Sequence, residues 1–481
     1  QLISFYRNGS NVDLVIESVS LKAINDKHHA TTVFTGDDLW DLADNHTDNW
    51  STTGGATKAA IGGTTDGVKL TFGGTATNEN GSYIWLKDTT TNTLTEDLTV
   101  GRTYKLSGKF ATDVAGATNA PRMMVYNGAN NYTSPSTVPA TNLVTNGTME
   151  VDDDWTSWSD AGNERSDTQA HNGTYSRKFT PTTSNDGIQS ATAPFTTVTG
   201  TTYLVSFWIY PDDGTVCSVF NRKGGEASIG TRKDVTGLTQ DAWNKVEMQF
   251  TEDVGGDDAY IGITSSTDDS GDFYVDDVVV TAFVDREIEF TATNATTNNF
   301  YHLNCDYVAD NDLISQVNDR NSIFDEAGQW LLFDSSGTNA SLNIVDEALV
   351  ITSTTDNEIE GAVLPVANFA DLEIGRTYTV LATMSSAAGS PSIIATLGQH
   401  EAAGQTLNQT PTQYAFTCTP ISTAGGLGFW TSEATAYTIT IDNVQIFPHC
   451  NLYVDDLSFK EVGAASGWTD ADQQLHIPQP A

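Results

Sequence analysis

The chain has 481 residues and a net charge of −40, from 62 acidic and 22 basic side chains, with only 17% charged residues and 40 glycines. So negative a surface repels nucleic-acid phosphates and anionic lipid, leaving divalent cations and neutral polar ligands as the compatible partners. Thr, Asn, Ser, Asp and Gly fill the gaps between short apolar runs, and helical periodicity is nearly absent, so the fold class expected is all-β. The length allows about three or four domains of roughly 100–200 residues.

No apolar run approaches the roughly 18 residues of a membrane span, so no membrane insertion is expected. The chain opens on Gln1 without a signal-peptide pattern, which reads as a processed chain or a piece of a longer one. Cys217, Cys305, Cys418 and Cys450 form no CxxC pair and the histidines are scattered, so zinc is not indicated and free buried thiols are expected. Sequons at Asn8, Asn80, Asn146, Asn172 and Asn408 matter only in a glycosylating host.

In chain order, the first strand is "NVDLVIESVSL" from Asn11, alternating between Val12, Leu14 and Ile16 on one face and Val15, Glu17 and Val19 on the other. It resembles three later stretches, "FYVDDVVV" at Phe273, "YTITIDNVQI" at Tyr437 and "NLYVDDLSF" at Asn451, which share an acid at one position: Glu17, Asp276, Asp442 and Asp455. A second motif, Gly-x-Thr-Tyr before an alternating strand, occurs at Gly101, Gly200 and Gly375. An opening segment, "NGTMEVDDDW" from Asn146, matches "NSIFDEAGQW" from Asn321 position for position, and "LWDLADNHTDNW" from Leu39 less closely. Penultimate strands are "NKVEMQFT", "DREIEFT" and "TQYAFT" at Asn244, Asp285 and Thr412.

Ordered this way, the repeats define sandwich modules. The second, 141–284, is complete, whereas the first stops before its penultimate strand and a spare one, "DREIEFT", follows the second. The simple explanation is nesting: module one comprises 31–140 plus 285–318, closed by "NDLISQV" at Asn311, with module two inserted in a loop of it. The alternative is a degenerate first module with 285–319 as linker. Module three would run over 319–449. Residues 1–30 and 450–481 would each hold a closing strand without a module, and at least one of the two is expected to complete a sheet across a subunit boundary or a domain interface.

The series "NLVTNGTMEVDDDWTSW", "AHNGTYSRKF", "GTTYLVSFWIY", "AWNKVEMQFT" and "FYVDDVVV" resembles jelly-roll carbohydrate-binding modules of the family 4/9/22 type, found in secreted glycoside hydrolases and in bacteriophage tail and fibre proteins. Modules one and three follow the order but match weakly. The resemblance implies tandem jelly rolls and a structural calcium ion tying opening segment to closing strand. Glu150 with Asp276 or Asp277 would hold it in module two, and Asp325 with Asp442 in module three; the other reading of these acids is edge charge that discourages strand pairing. Sugar binding needs aromatic platforms. Tyr203, Val205, Phe207 and Ile209 share one strand face and Leu204, Ser206, Trp208 and Tyr210 the other. Trp208 and Tyr210 are therefore candidates, joined by Trp155 and Trp158, although Trp330 at the place of Trp155 points to a core role. Modules one and three offer no comparable pair on that strand.

No HExxH, G-x-S-x-G or phosphate-loop motif occurs, so an enzyme is not expected. The reading is a noncatalytic virion surface, tail or fibre protein with other virion subunits and cell-surface glycans as partners, acting extracellularly. The alternatives are a subunit of an extracellular microbial filament and the accessory region of a secreted polysaccharide-active enzyme.

Overall fold

The computed structural model describes residues 33–464 apart from 41–45, 64–66, 73–80, 90–91, 114–120, 135–137, 139–140, 224–228, 267–270, 297–298, 306–311, 315–323, 325–328, 336–339, 356–357 and 369–371. The strand expected near Asn11 and the connector after 464 lie outside the described residues. Among the described residues there is no α-helix, only short 3-10 turns such as His46–Asn49 and Val366–Asn368 between antiparallel strands. The chain is all-β: three jelly-roll sandwiches, each pairing a six-stranded with a five-stranded sheet around its own apolar cluster.

The Gly-x-Thr-Tyr motif builds the same corner three times. Gly101, Gly200 and Gly375 have φ of 90°, 80° and 76°, a region that favours glycine. The following Thr meets a Thr on the penultimate strand, Oγ1 to Oγ1: Thr103 with Thr291 at 3.1 Å, Thr202 with Thr251 at 2.9 Å and Thr377 with Thr419 at 3.0 Å. The Tyr ring enters the core. Its hydroxyl accepts the backbone N–H five residues back: Thr99 to Tyr104, Val198 to Tyr203 and Glu373 to Tyr378. One tetrapeptide thus fixes a turn, a cross-strand pair and a buried anchor.

A second clasp recurs where each sandwich begins. Asp38, Asn142 and Asp312 each accept an N–H from the closing strand on Oδ1, from Phe459 at 3.0 Å, Val280 at 2.9 Å and Ile446 at 2.8 Å. The next residue, always leucine, donates its own N–H back to the same strand residue's carbonyl.

These pairings correct the expected division of the chain. Val284–Thr291 pairs with Thr103–Ala111 along its whole length, Ile288 opposite Leu106, so the chain re-enters the first sandwich after module two. The strand that closes this sandwich is not "NDLISQV". Cys450–Ala464 lies between Thr103–Ala111 and Val68–Phe72 in the middle of its sheet, and Val33–Asp38 pairs with its far end. Asp312 to Ile314 instead clasp and pack into module three, which therefore begins before 319. The C-terminal strand is no orphan: it finds its sheet within its own chain. Modules two and three are both carried in loops of module one.

Modules one and two meet through a small apolar cluster of Ile61, Ala111, Leu204, Phe283 and Tyr453. The Tyr453 hydroxyl lies 2.8 Å from Glu247 and 3.0 Å from Asp113, and Lys69 pairs with Glu247 at 2.5 Å.

Candidate functional site: aromatic faces and acidic clasps

Each sandwich has one sheet that holds its closing strand and a second that faces it. In module two the facing sheet runs Thr156–Trp158, Gly187–Gln189, Gly256–Ser265, Val216–Arg222, Ile229–Thr236. Alternation sends Ile188, Ile261, Ile263, Cys217 and Val219 into the core, so Trp158, Gln189, Gly262, Thr264 and Phe220 share the outer face. Trp158 and Phe220 meet edge-on, centroids 4.9 Å apart. Gly262 stands opposite Phe220, and a Cβ there would lie 2.1 Å from the ring, so glycine lets the ring lie over the sheet. Around them Arg222 packs over Tyr260, and Arg232 bonds Ser218 and Asn185. Gln189 Oε1 and Thr264 Oγ1 are buried on this face and have no hydrogen-bond partner among the described residues. Unpaired buried polar atoms beside an aromatic ring are what a sugar hydroxyl can satisfy.

The equivalent faces of the other modules also carry aromatics, which the Gly-x-Thr-Tyr strand does not reveal because those residues sit on the opposite sheet. In module one Phe300 contacts Tyr83, Trp85 and Tyr126 at 5.7, 5.5 and 4.6 Å, with Lys87 over Trp85. In module three Phe333 pairs opposite Gly361 as Trp158 does opposite Gly187, and with Trp430 it lines a cavity of about 220 Å³.

Of the four aromatic candidates, Trp158 alone belongs to this face. Trp155 is a correction: it is 2% exposed in the core, and its indole N–H donates to the Asn146 carbonyl. Trp330 is buried at its place in module three, stacked on Phe429. Tyr210 is half-buried on the outer face of the closing sheet, edge-on to Trp243 and Tyr274. Trp208, on the same face, stacks on His171 at 4.2 Å, and its far side abuts Gly375 of module three.

The predicted metal acids gather around one loop. Glu150 Oε1 accepts the N–H groups of Thr174 and Tyr175, and Asp276 Oδ2 those of His171 and Asn172. Gly173 fits beside Glu150 only because it lacks a Cβ, which would lie 2.3 Å from Oε1. Asp277 bonds His171 Nδ1 at 2.7 Å. Burial, with the neighbouring Asp277 charge, holds the Asp276 carboxyl well above the usual carboxylate range. Two carboxylates and the loop between them offer hard oxygen donors, but among the described residues no group of three or more His, Cys, Asp or Glu side chains could hold a metal ion. An ion here would lean on backbone carbonyls. In module three Asp325 lies outside the described residues, and Asp442 bonds its neighbour Asn443.

The fold and these faces define three interlocked jelly-roll sandwiches with aromatic outer sheets. Residues 141–270 match the family model described as "Carbohydrate binding domain". Among solved structures, the N-terminal CBM22-1-CBM22-2 tandem domain from Paenibacillus barcinonensis Xyn10C is 14% identical. It covers 64% of this chain and 98% of its own, with a TM-score of 0.25. A Family 16 Carbohydrate Binding Module-2 is 23% identical over 29% of this chain and 99% of its own, with a TM-score of 0.24. The comparison with curated proteins finds no match.

Proposed function

We propose that this is a noncatalytic glycan-binding protein whose primary site is the outer face of the module-two facing sheet. The observation that carries the reading is the Trp158–Phe220 pair beside the unpartnered Gln189 Oε1 and Thr264 Oγ1. The half-buried Trp158 would stack on a pyranose face, backed by the buried Phe220, while the polar atoms take hydroxyls. The match of 141–270 to a carbohydrate-binding family model supports it. Affinity electrophoresis against a panel of soluble polysaccharides tests it: at least one should retard the protein, and Trp158→Ala should weaken that retardation at least tenfold with melting unchanged. No retardation by any glycan, or retardation indifferent to Trp158→Ala, overturns it.

The setting we propose is an extracellular particle surface, a phage tail or fibre or a microbial filament, because the modules are interlocked rather than strung on linkers. A second reading is the accessory region of a polysaccharide-active enzyme, which the carbohydrate-binding match at 141–270 suits equally. Periodic density attributable to this chain along a particle supports the first; a soluble monomer joined to a catalytic domain supports the second. Calcium at Glu150 and Asp276 belongs to this proposal as a structural ion that would take the place of the proton burial favours on Asp276. Chelation should then lower the melting temperature of module two, and Glu150→Ala should abolish that response; melting indifferent to chelator removes the ion.

A further inference from the structure

The three modules converge on one cavity of about 180 Å³. Module one contributes Lys69 and Asp113, module two Trp208 and Lys245, module three Glu373 and Arg376. It reaches the surface beside Gly375, which is exposed. This is room for a cluster of waters, the scale of a single sugar ring.

Its chemistry is unlike the rest of the molecule. In a chain with 22 cationic side chains against 62 acidic ones, three cations line this one space with two acids; Lys69 is spent on Glu247, which leaves Lys245 and Arg376 as the cations facing it. Lys245 lies 5.3 Å from the Trp208 ring centroid and 3.5 Å from Asp113. An ammonium has three protons to place and that long ion pair uses one at most. Arg376 gives one hydrogen bond among the described residues, to Glu373 Oε1 at 2.7 Å, from a guanidinium with five N–H groups. Asp113 is held ionised by Lys245, Lys69 and Arg376 against its own burial. The cations therefore surround it with donors left over. Trp208 supplies an aromatic wall backed by His171.

We propose that this junction cavity binds a single acidic sugar unit, a uronic acid, with its ring against Trp208 and its carboxylate on Lys245 and Arg376. The site differs in place and ligand class from the outer face bearing Trp158 and does not depend on it. It exists only where the three modules meet, so occupancy would also fix their arrangement.

Titration of the full chain with D-glucuronate and D-galacturonate, followed by calorimetry or ligand-observed NMR, tests the proposal, with D-glucose as the neutral control. At least one uronate should bind saturably and more weakly as salt rises. Glucose should bind at least tenfold less. Lys245→Met and Trp208→Ala should each weaken uronate binding at least tenfold, Lys245→Arg should retain it, and Trp158→Ala should leave it unchanged. Melting curves identify a variant that fails to fold, and the Lys245 pair keeps the test open should Trp208→Ala do so. No uronate binding, equal binding of glucose, or binding indifferent to Lys245→Met overturns the proposal. Loss on Trp158→Ala would place the sugar on the outer face instead.

Discussion

His449 is the residue whose charge state most clearly belongs to the fold. It is buried at the end of module three, with Nε2 2.9 Å from Thr379 Oγ1. Burial, reinforced by Arg376, lowers its pKa from 6.5 to about 4. The neutral form suits the fold and the unfolded chain takes the proton first, so its contribution is whole above pH 6.5 and lost as pH falls towards 4. The limit is about 3 kcal/mol. The melting temperature of module three should fall across that window, and His449→Gln should flatten the fall relative to the carboxylate background; an identical slope in the variant refutes the assignment. At the same scale, the repeated acid of the closing strands was legible as a position and not as a role. In the three described closing strands the residue after it has positive φ, Asp277 at 50°, Asn443 at 50° and Asp456 at 48°, at a register shift against the Gly-x-Thr-Tyr strand. Asp276 and Asp442 cap the N–H of that residue. Asp and Asn tolerate this conformation, so the pair of polar residues in an apolar strand makes a bulge whether or not a metal is present.

At the scale of elements, the Gly-x-Thr-Tyr corner was visible because turn, pair and anchor all leave residue signatures. The opening clasp was not, because its signal is short: Asp38-Leu39, Asn142-Leu143 and Asp312-Leu313. "NDLISQV" alternates like a closing strand, yet it supplies an opener, as the bonds of Asp312 and Leu313 to Ile446 and the core packing of Ile314 show. Asp312→Ala would leave the N–H groups of Ile314 and Ile446 without that acceptor, which costs about 1–3 kcal/mol. The transition of module three should move down while that of module one stays, as read by calorimetry or by hydrogen exchange at each sandwich. A shift of module one instead would return this segment to the first sandwich. The aromatic faces were missed for a related reason. Their residues come from several strands, and Trp158, Phe220 and Gly262 become neighbours only through sheet order.

At the scale of the whole molecule, the chain begins its first sandwich, leaves it twice and returns to finish it with its last described strand. Cys450–Ala464 is an inner strand, hydrogen-bonded to Thr103–Ala111 on one side and Val68–Phe72 on the other. Leu452, Val454 and Phe459 fill the module-one core, and Tyr453 fills the contact with module two. Losing an inner strand opens two rows of backbone donors and acceptors and removes these side chains from the core, a loss far larger than that of a single residue. Module two closes on Phe273–Ala282 and module three on Thr438–Pro448, neither of which needs the C-terminal strand. A chain ending at 449 should therefore keep the cooperative transitions of modules two and three and lose that of module one. Proteolysis should then cut within 33–134 and 284–305 and spare 141–283. The same truncation should abolish any ligand binding at the three-module cavity while leaving glycan retardation through Trp158 intact. If module one still melts cooperatively without residues 450–464, its sheet has another closing strand and the interlocked arrangement is refuted.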